Sequence, residues 1–213
     1  KLIGIMGASG AGKTTLLNVM AGLVKPTTGQ ILINGFDIHA QKEKIHGVIG
    51  YVSQDDLLIE ELTVYQNLYY NAKLCFATFT EEQLHQRVME VLENLGLDQR
   101  KDLRVGNPLD KTISGGQRKR LNIALELIRE PAILFLDEPT TGLDPAIRRA
   151  MWAEVRRLNK DHGITIFLTT QYLEEADQLA DAVTVIVGGN VVARGTPAEL
   201  KATLGTAQVR IEI

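Results

Sequence analysis

Eight consecutive residues near the start of the chain, Gly7-Ala8-Ser9-Gly10-Ala11-Gly12-Lys13-Thr14, have the types and spacing to hold phosphate groups. Glycines let successive backbone N–H groups turn toward phosphate oxygens, and a helix beginning behind them adds the positive end of its dipole. Lys13 would reach the β- and γ-phosphates, and the Thr14 hydroxyl would ligate Mg²⁺. A flexible glycine turn could carry the same letters by accident, but the flanks argue against it. Ile3-Gly4-Ile5-Met6 reads as a short buried strand, and Thr15-Leu16-Leu17-Asn18-Val19-Met20-Ala21 has apolar side chains at helical spacing. A second chemical pair is Asp137-Glu138, directly after the apolar run Ile133-Leu134-Phe135-Leu136. Asp137 is placed to hold Mg²⁺ and Glu138 to polarise an attacking water. Adjacent strand residues point to opposite sides, so both can approach one ligand only where the chain bends at the strand end. The third group, Ser114-Gly115-Gly116-Gln117, offers a hydroxyl and glycine amides at a helix N-terminus. That arrangement suits an anion, and it suits a plain helix cap equally well.

The elements that must position these residues follow from the pattern. Lys25-Pro26-Thr27-Thr28-Gly29 is a turn, Ile31–Ile33 a strand, and Asn34-Gly35 a favoured hairpin pair. Val48–Val52 reads as a strand delivering Ser53-Gln54-Asp55-Asp56 at its end. Thr63-Val64-Tyr65-Gln66 and Thr80-Glu81-Glu82-Gln83 are capping boxes. The second opens a helix with Leu84, Val88, Val91, Leu92 and Leu95 on one face, and Gly96 suits its end. No convincing strand lies between Thr63 and Glu130, which predicts a helical lobe set into an α/β core. The helix after Ser114 is expected over Gln117–Glu130, ended by Pro131. At 1.5 Å per residue it would extend about 20 Å, which starts Ser114–Gln117 far from Asp137. A partner molecule resolves this if each chain's Ser114–Gln117 covers the other's phosphate loop across a two-fold axis. Ile133–Leu136 has the look of a central parallel strand covered on both faces, with Asp137-Glu138 at the end where ligands gather. Asp144-Pro145 caps a helix burying Met151, Val155 and Leu158. A strand over Ile164–Thr169, a short acidic helix, a hairpin turning at Gly188-Gly189-Asn190, a helix capped at Thr196 and a last strand with Val209, Ile211 and Ile213 complete the chain.

Composition narrows the class. With 213 residues the chain can bury one sizeable core, and 23 Lys and Arg against 26 Asp and Glu leave no electrostatic footprint for nucleic acid. No apolar run approaches the ~20 residues that span a bilayer, and no leader pattern opens the chain. The lone cysteine, Cys75, has no internal partner and reads as a buried, inert thiol in a reducing compartment. Lys1 lies directly against a core strand, as in a chain lacking its N-terminal end.

Taken in order, these motifs resemble the ATP-binding subunit or domain of an ABC transporter. Gly7–Thr14 matches the family's Walker A, Gln54 its Q-loop glutamine, Ser114–Gln117 its signature, Ile133–Glu138 its Walker B, and Gly142-Leu143-Asp144 its D-loop. The resemblance implies an α/β fold: a P-loop NTPase core of mostly parallel sheet flanked by helices, with an antiparallel β subdomain. The core would span roughly residues 1–62 and 131–213 and the inserted helical lobe roughly 63–130. It implies that ATP contacts Gly7, Ala8, Ser9, Gly10, Ala11, Gly12, Lys13, Thr14 and Thr15 of one chain, and Ser114, Gly115, Gly116, Gln117 and Asp144 at the facing site. Mg²⁺ would be held by Thr14, Asp137 and Gln54, with Glu138, Gln54 and Gln171 serving hydrolysis. The implied partners are a second ABC ATP-binding domain, in a head-to-tail dimer, and a transmembrane subunit or domain at the cytoplasmic face of a membrane. No nucleic-acid partner is expected.

Three departures stand out. Where the family has a histidine contacting the γ-phosphate, Thr169-Thr170-Gln171 places Gln171, which can donate a hydrogen bond but carries no proton as imidazolium does. Ile113 replaces the leucine that usually leads the signature. The family's adenine-stacking aromatic lies upstream of the first core strand. Two stretches, Gln117–Leu127 and Thr169–Ala176, are similar to exporter branches and favour export over import. Arg118–Arg120 otherwise reads as a solvated helix start whose basic charge opposes the dipole. Two rivals stay open at this point: a soluble ABC-type ATPase acting as a switch outside transport, and a nucleotide-binding module that barely hydrolyses.

Overall fold

The computed structural model describes residues 1–45, 47–107 and 112–204. A six-stranded sheet in the order β4-β5-β6-β1-β7-β8 organises it: β1 (Leu2–Met6), β4 (Ile49–Val52), β5 (Ile133–Leu136), β6 (Thr165–Thr170), β7 (Ala182–Val187) and β8 (Asn190–Gly195). The first five strands run parallel, and β8 pairs antiparallel with β7. β1 is central between β6 and β7, so the loop that leaves it emerges in the middle of the sheet's carboxyl edge.

Alternation along the strands explains the two covered faces. Phe135 of β5 stacks on Phe167 of β6 at 5.1 Å between ring centroids. With Ile5, Leu17, Ala21 and Ile186 it forms the core beneath α1 (Lys13–Met20). Leu134 and Leu136 face the other way and join Ile166, Leu168 and Val183 in a larger core. That core is closed by α2 (Val64–Cys75), α3 (Glu81–Asn94), α4 (Gly115–Leu127), α5 (Pro145–Lys160) and α6 (Leu173–Leu179). The apolar run 133–136 is therefore buried on both sides, as a central parallel strand requires. A last helix, α7 (Pro197–Leu204), ends the described chain. The expected strand at Val209, Ile211 and Ile213 lies outside the described residues.

A small antiparallel pair, β2 (Leu32–Ile33) and β3 (Phe36–Asp37), turns at Asn34 and Gly35 with φ of 52° and 82°. These are the two left-handed positions that a two-residue hairpin needs. Between Thr63 and Glu130 the described residues hold helices and short 3-10 turns, with only an isolated bridge from Thr63 to Arg104. Both capping boxes there are made in full.

Three expectations need correction. α4 begins at Gly115 and stops at Leu127, because Arg129 and Glu130 close tighter turns and Glu130 adopts φ 54° before Pro131. Arg118 is not solvated: it is 7% exposed and forms a forked ion pair with Asp56, Nε at 2.8 Å and Nη2 at 3.1 Å. Cys75 is half-buried; its Sγ donates to Asn71 Oδ1 at 3.2 Å and lies 2.9 Å from the donating Arg129 Nε.

Removing one capping box isolates a local contribution. Thr63 Oγ1 accepts from the Gln66 N–H at 3.1 Å, and Gln66 Oε1 from the Thr63 N–H at 3.0 Å. Thr63→Ala should cost about 1 kcal/mol, which for a chain of this size lowers the melting midpoint by roughly 2–4 °C. An unchanged midpoint in a calorimetric scan would show that the cap contributes nothing.

Candidate functional site

The loop after β1 is shaped by glycines that admit no side chain. A Cβ on Gly7 would sit 2.5 Å from the Ile186 carbonyl oxygen, a backbone atom, and Gly12 takes φ 99° as the residue preceding α1. The loop is braced from both sides. The Gly7 N–H donates to the Thr170 carbonyl at 3.2 Å, and the Gly189 N–H from the β7–β8 turn donates to the Ala11 carbonyl at 2.9 Å. Ala8, Ser9 and Gly10 remain exposed at its crest, and Thr14 and Thr15 are exposed at the start of α1.

Lys13 folds back into this loop. Its Nζ donates to the Ala8 carbonyl at 3.0 Å and pairs with Glu138 Oε1 at 2.9 Å, the two side chains being 4% and 11% exposed. Thr14 Oγ1 donates to Asp137 Oδ1 at 3.2 Å. The chain does bend after β5: Glu138 holds a left-handed φ of 45°, so consecutive acidic residues meet consecutive residues of α1. A non-glycine residue in this region is strained and persists only where its surroundings hold it. Two hydroxyls do so. Thr169 Oγ1 donates to Asp137 Oδ1 at 2.6 Å while accepting from the Glu138 N–H at 2.9 Å, and Thr141 Oγ1 donates to Glu138 Oε2 at 3.0 Å. β6 lies between β1 and β5, which is why its last residues stand between the loop and the acidic pair. Burial and the neighbouring Asp137 carboxylate push the Tyr51 phenol up to about 12.

The other expected site residues stand at the exits of β4 and β6 and at the starts of α4 and α5. Gln54 is exposed beyond β4, and its carbonyl accepts from Lys119 Nζ, whose pKa is pulled down by burial against the pull of Asp56, Asp55 and Asp137. Gln171 is exposed at the exit of β6, one residue after the carbonyl that receives Gly7, and its side chain makes no hydrogen bond among the described residues. Ser114 and Gln117 are used as a helix cap: Gln117 N–H donates to Ser114 Oγ at 3.2 Å and Ser114 N–H to Gln117 Oε1 at 2.7 Å. Gly115 and Gly116 lie against α5 and its lead-in; a Cβ on Gly116 would come within 2.5 Å of Ile147 Cγ2. No hydrogen bond among the described residues joins 114–117 to 7–15. Asp144 Oδ1 accepts from the Ala146 and Ile147 N–H groups at 3.0 and 2.9 Å, capping α5.

A family model described as ABC transporter matches residues 1–141. This chain belongs to the ABC transporter family. Among its relatives is the daunorubicin/doxorubicin resistance ATP-binding protein DrrA of Streptomyces peucetius, 40% identical over 99% of this chain and 61% of the relative. ABC transporter A family member 5 of Arabidopsis thaliana is 39% identical over 97% of this chain but 21% of its own length. The chain thus spans about three fifths of the bacterial relative. Among solved structures, CbiO1 of Clostridium perfringens, part of the ABC transporter complex CbiONQ, superposes with a TM-score of 0.83. It is 32% identical, over 94% of this chain and 78% of that one. The ATP-binding cassette MJ0796, a dimer in a post-hydrolysis state bound to ADP and Pi, gives 0.78 at 27% identity, over 92% and 85%.

Within this family member, sequence reasoning missed Thr169, Thr141, Tyr51 and the contacts of α4. Thr169 was detectable as a polar residue closing an apolar strand run, and Thr141 as a hydroxyl three residues past Glu138; Tyr51 and α4 meet the site through pairings remote in sequence. α4 follows the edge strand β4 and its exit residue by residue. Glu126 accepts from the Tyr51 N–H at 3.2 Å, Asn122 Oδ1 from the Leu57 N–H at 3.1 Å, Lys119 reaches Gln54, and Arg118 grips Asp56. An edge strand has outward N–H groups that need partners, and Glu126 supplies one.

Burial raises the Glu126 pKa, opposed by the Tyr51 hydrogen bond and by Arg129. A raised folded-state pKa favours the protonated form, so this stabilisation is complete below the ordinary carboxylate range and lost as pH rises through the folded value. Glu126→Gln keeps an acceptor oxygen and no charge. Its stability relative to wild type should rise from acid to neutral pH in urea unfolding. A difference constant with pH would contradict the assignment.

Proposed function

We propose that the chain is the ATP-binding and ATP-hydrolysing part of an ABC transporter of the exporter type, working as a dimer with a second ATP-binding domain. The observation that carries the reading is the meeting of Lys13 with Glu138 and of Thr14 with Asp137 beneath an exposed glycine loop. Lys13 and the loop's N–H groups are suited to the β- and γ-phosphates of ATP, whose charge competes with Glu138 for the ammonium. Thr14 and Asp137 offer hard oxygen donors 3.2 Å apart, a donor set that fits Mg²⁺ beside substrate phosphates. When bound, Mg²⁺ would neutralise charge developing on the transferred phosphoryl group. Glu138 then has a free carboxylate to accept the proton of an attacking water, and Gln171 can donate a neutral hydrogen bond near the γ-phosphate.

We assign Ser114–Gln117 and Asp144 to the ATP held by the partner, since in this chain they cap α4 and α5 and no hydrogen bond among the described residues joins 114–117 to the loop. The dimer named for the MJ0796 structure supports that assignment. We divide the domain into a core of residues 1–62 and 131–213 and a helical lobe of 63–130. The ties from α4 to Gln54–Leu57 suit a glutamine that relays between the Mg²⁺ site and that lobe. Leu57 and Ile59 beyond Gln54, with Tyr70 and Leu74 of α2, are large apolar side chains left exposed. They suit contact with a membrane subunit at the cytoplasmic face, and no described helix is long and apolar enough to cross the membrane itself. The drug-resistance name of DrrA and the transporter complex of CbiO1 support transport over a soluble switch.

Glu138→Gln tests the reading. The amide accepts no proton from water, so ATP binding should persist while turnover falls at least a hundredfold and an ATP-bound dimer accumulates. Phosphate release and size-exclusion chromatography with ATP and Mg²⁺ measure both. A monomeric variant with wild-type turnover would remove Glu138 from the base role.

A further inference from the structure

One carboxylate outside the phosphate-facing cluster is buried more deeply than either carboxylate within it. Glu175, in the first turn of α6, is 1% exposed, and its Oε1 accepts from Thr140 Oγ1 at 2.7 Å and from Trp152 Nε1 at 2.8 Å. Ala176 and Leu179 beside it belong to the large core. A charge in such surroundings is costly, and an apolar residue of similar volume would serve packing as well or better. Stability alone is therefore a poor reason for a glutamate here. Its partners suggest another. Thr140 lies two residues past Glu138 on the way to Asp144, Trp152 sits on the helix that Asp144 caps, and α6 follows Gln171. One oxygen atom thus ties together the three segments that carry Glu138, Asp144 and Gln171. A second strut runs parallel to it: the Arg148 guanidinium lies 4.2 Å from the Tyr172 ring centroid, and its Nη2 donates to the Leu143 carbonyl at 3.1 Å.

We propose that Glu175 is a positioning residue for ATP hydrolysis, its carboxylate oxygen holding Thr140 and Trp152 so that the loop 139–144 keeps Glu138 in place. The proposal rests on the ATPase reading above. Glu175 touches neither Lys13 nor Asp137 and acts through Thr140, whose neighbour Thr141 holds Glu138 Oε2. The left-handed φ of 45° at Glu138 is the conformation such a brace maintains. Two hydrogen bonds of 2.7 and 2.8 Å to one shared oxygen fix both donors relative to each other, so loss of either donor moves the loop.

The test compares steady-state kcat and KM for ATP in the full-length protein and in Thr140→Val, Glu175→Ala, Glu175→Gln and the double variant Thr140→Val/Glu175→Ala. Each is accompanied by a melting midpoint and by emission of Trp152, the one tryptophan of the chain. Thr140→Val and Glu175→Ala should each lower kcat about tenfold at unchanged KM, an effect on the step after binding. The double variant should be no slower than the worse single, because both remove the same bond. Glu175→Gln keeps an oxygen able to accept both bonds and should retain most of the wild-type kcat. Loss of the indole partner should shift Trp152 emission in Glu175→Ala. If Glu175→Ala does not fold, Thr140→Val decides alone, since methyl replaces hydroxyl at nearly constant shape. Wild-type kcat per folded molecule in these variants would overturn the positioning role while leaving the ATPase reading intact. A wild-type protein without ATP turnover would overturn that reading, and the positioning role with it.

Discussion

The contact on which the site depends is the ion pair of Lys13 and Glu138, 2.9 Å long and almost closed to water. Neither charge can be buried alone, because the desolvation of an ammonium or a carboxylate far exceeds what one neutral hydrogen bond returns. The pair therefore fixes the start of α1 against the end of β5, two strands away across the sheet. It also makes the two residues competitors for one another's other partners. In the function proposed above, a polyphosphate at the exposed crest Ala8–Gly10 would offer Lys13 more negative charge than Glu138 does. Lys13 would then turn to the phosphates, and Glu138 would keep its bond from Thr141 and a free carboxylate oxygen. Binding and the readiness of a proton acceptor would in this way be coupled through a single ammonium group.

The sheet supplies the rigidity that this requires. β6 stands between β1 and β5, and Thr169 at its end serves both acidic residues, bonding the carboxylate of one and the N–H of the other. The Phe135–Phe167 stack holds β5 and β6 together from beneath, while the carbonyl of Thr170 and the turn at Gly189 pin the two flanks of the glycine loop. α4 extends this frame sideways: its four consecutive contacts to β4 and residues 54–57 make the helix behind Ser114 and the segment bearing Gln54 one mechanical unit.

Much of this was legible from local pattern. The strand–loop–helix at residues 3–21, the both-sided burial of 133–136, the capping boxes at Thr63 and Thr80 and the hairpins at Asn34 and Gly188 depend on neighbours within a few positions, which a sequence displays directly. The failures were of another kind. Arg118 looked like a solvated charge because its partner, Asp56, is 62 residues away. Glu175 reads only as part of a short acidic helix, and its bonds to Thr140 and Trp152, 35 and 23 residues away, distinguish it. The end of α4 was misplaced because Glu130 takes a left-handed turn that proline alone does not announce. Periodicity tells which face is buried; it does not tell which polar groups meet there.

The central claim is that Lys13 serves a phosphate-binding site and is not merely half of a structural ion pair. Titration calorimetry of Mg²⁺-ATP into wild type and Lys13→Ala, with a melting midpoint for each, separates the two. The account predicts that removing the ammonium weakens ATP binding by at least tenfold, a loss greater than that for a nucleoside lacking phosphates. Unchanged ATP affinity in a folded Lys13→Ala protein, with only the midpoint lowered, would contradict it.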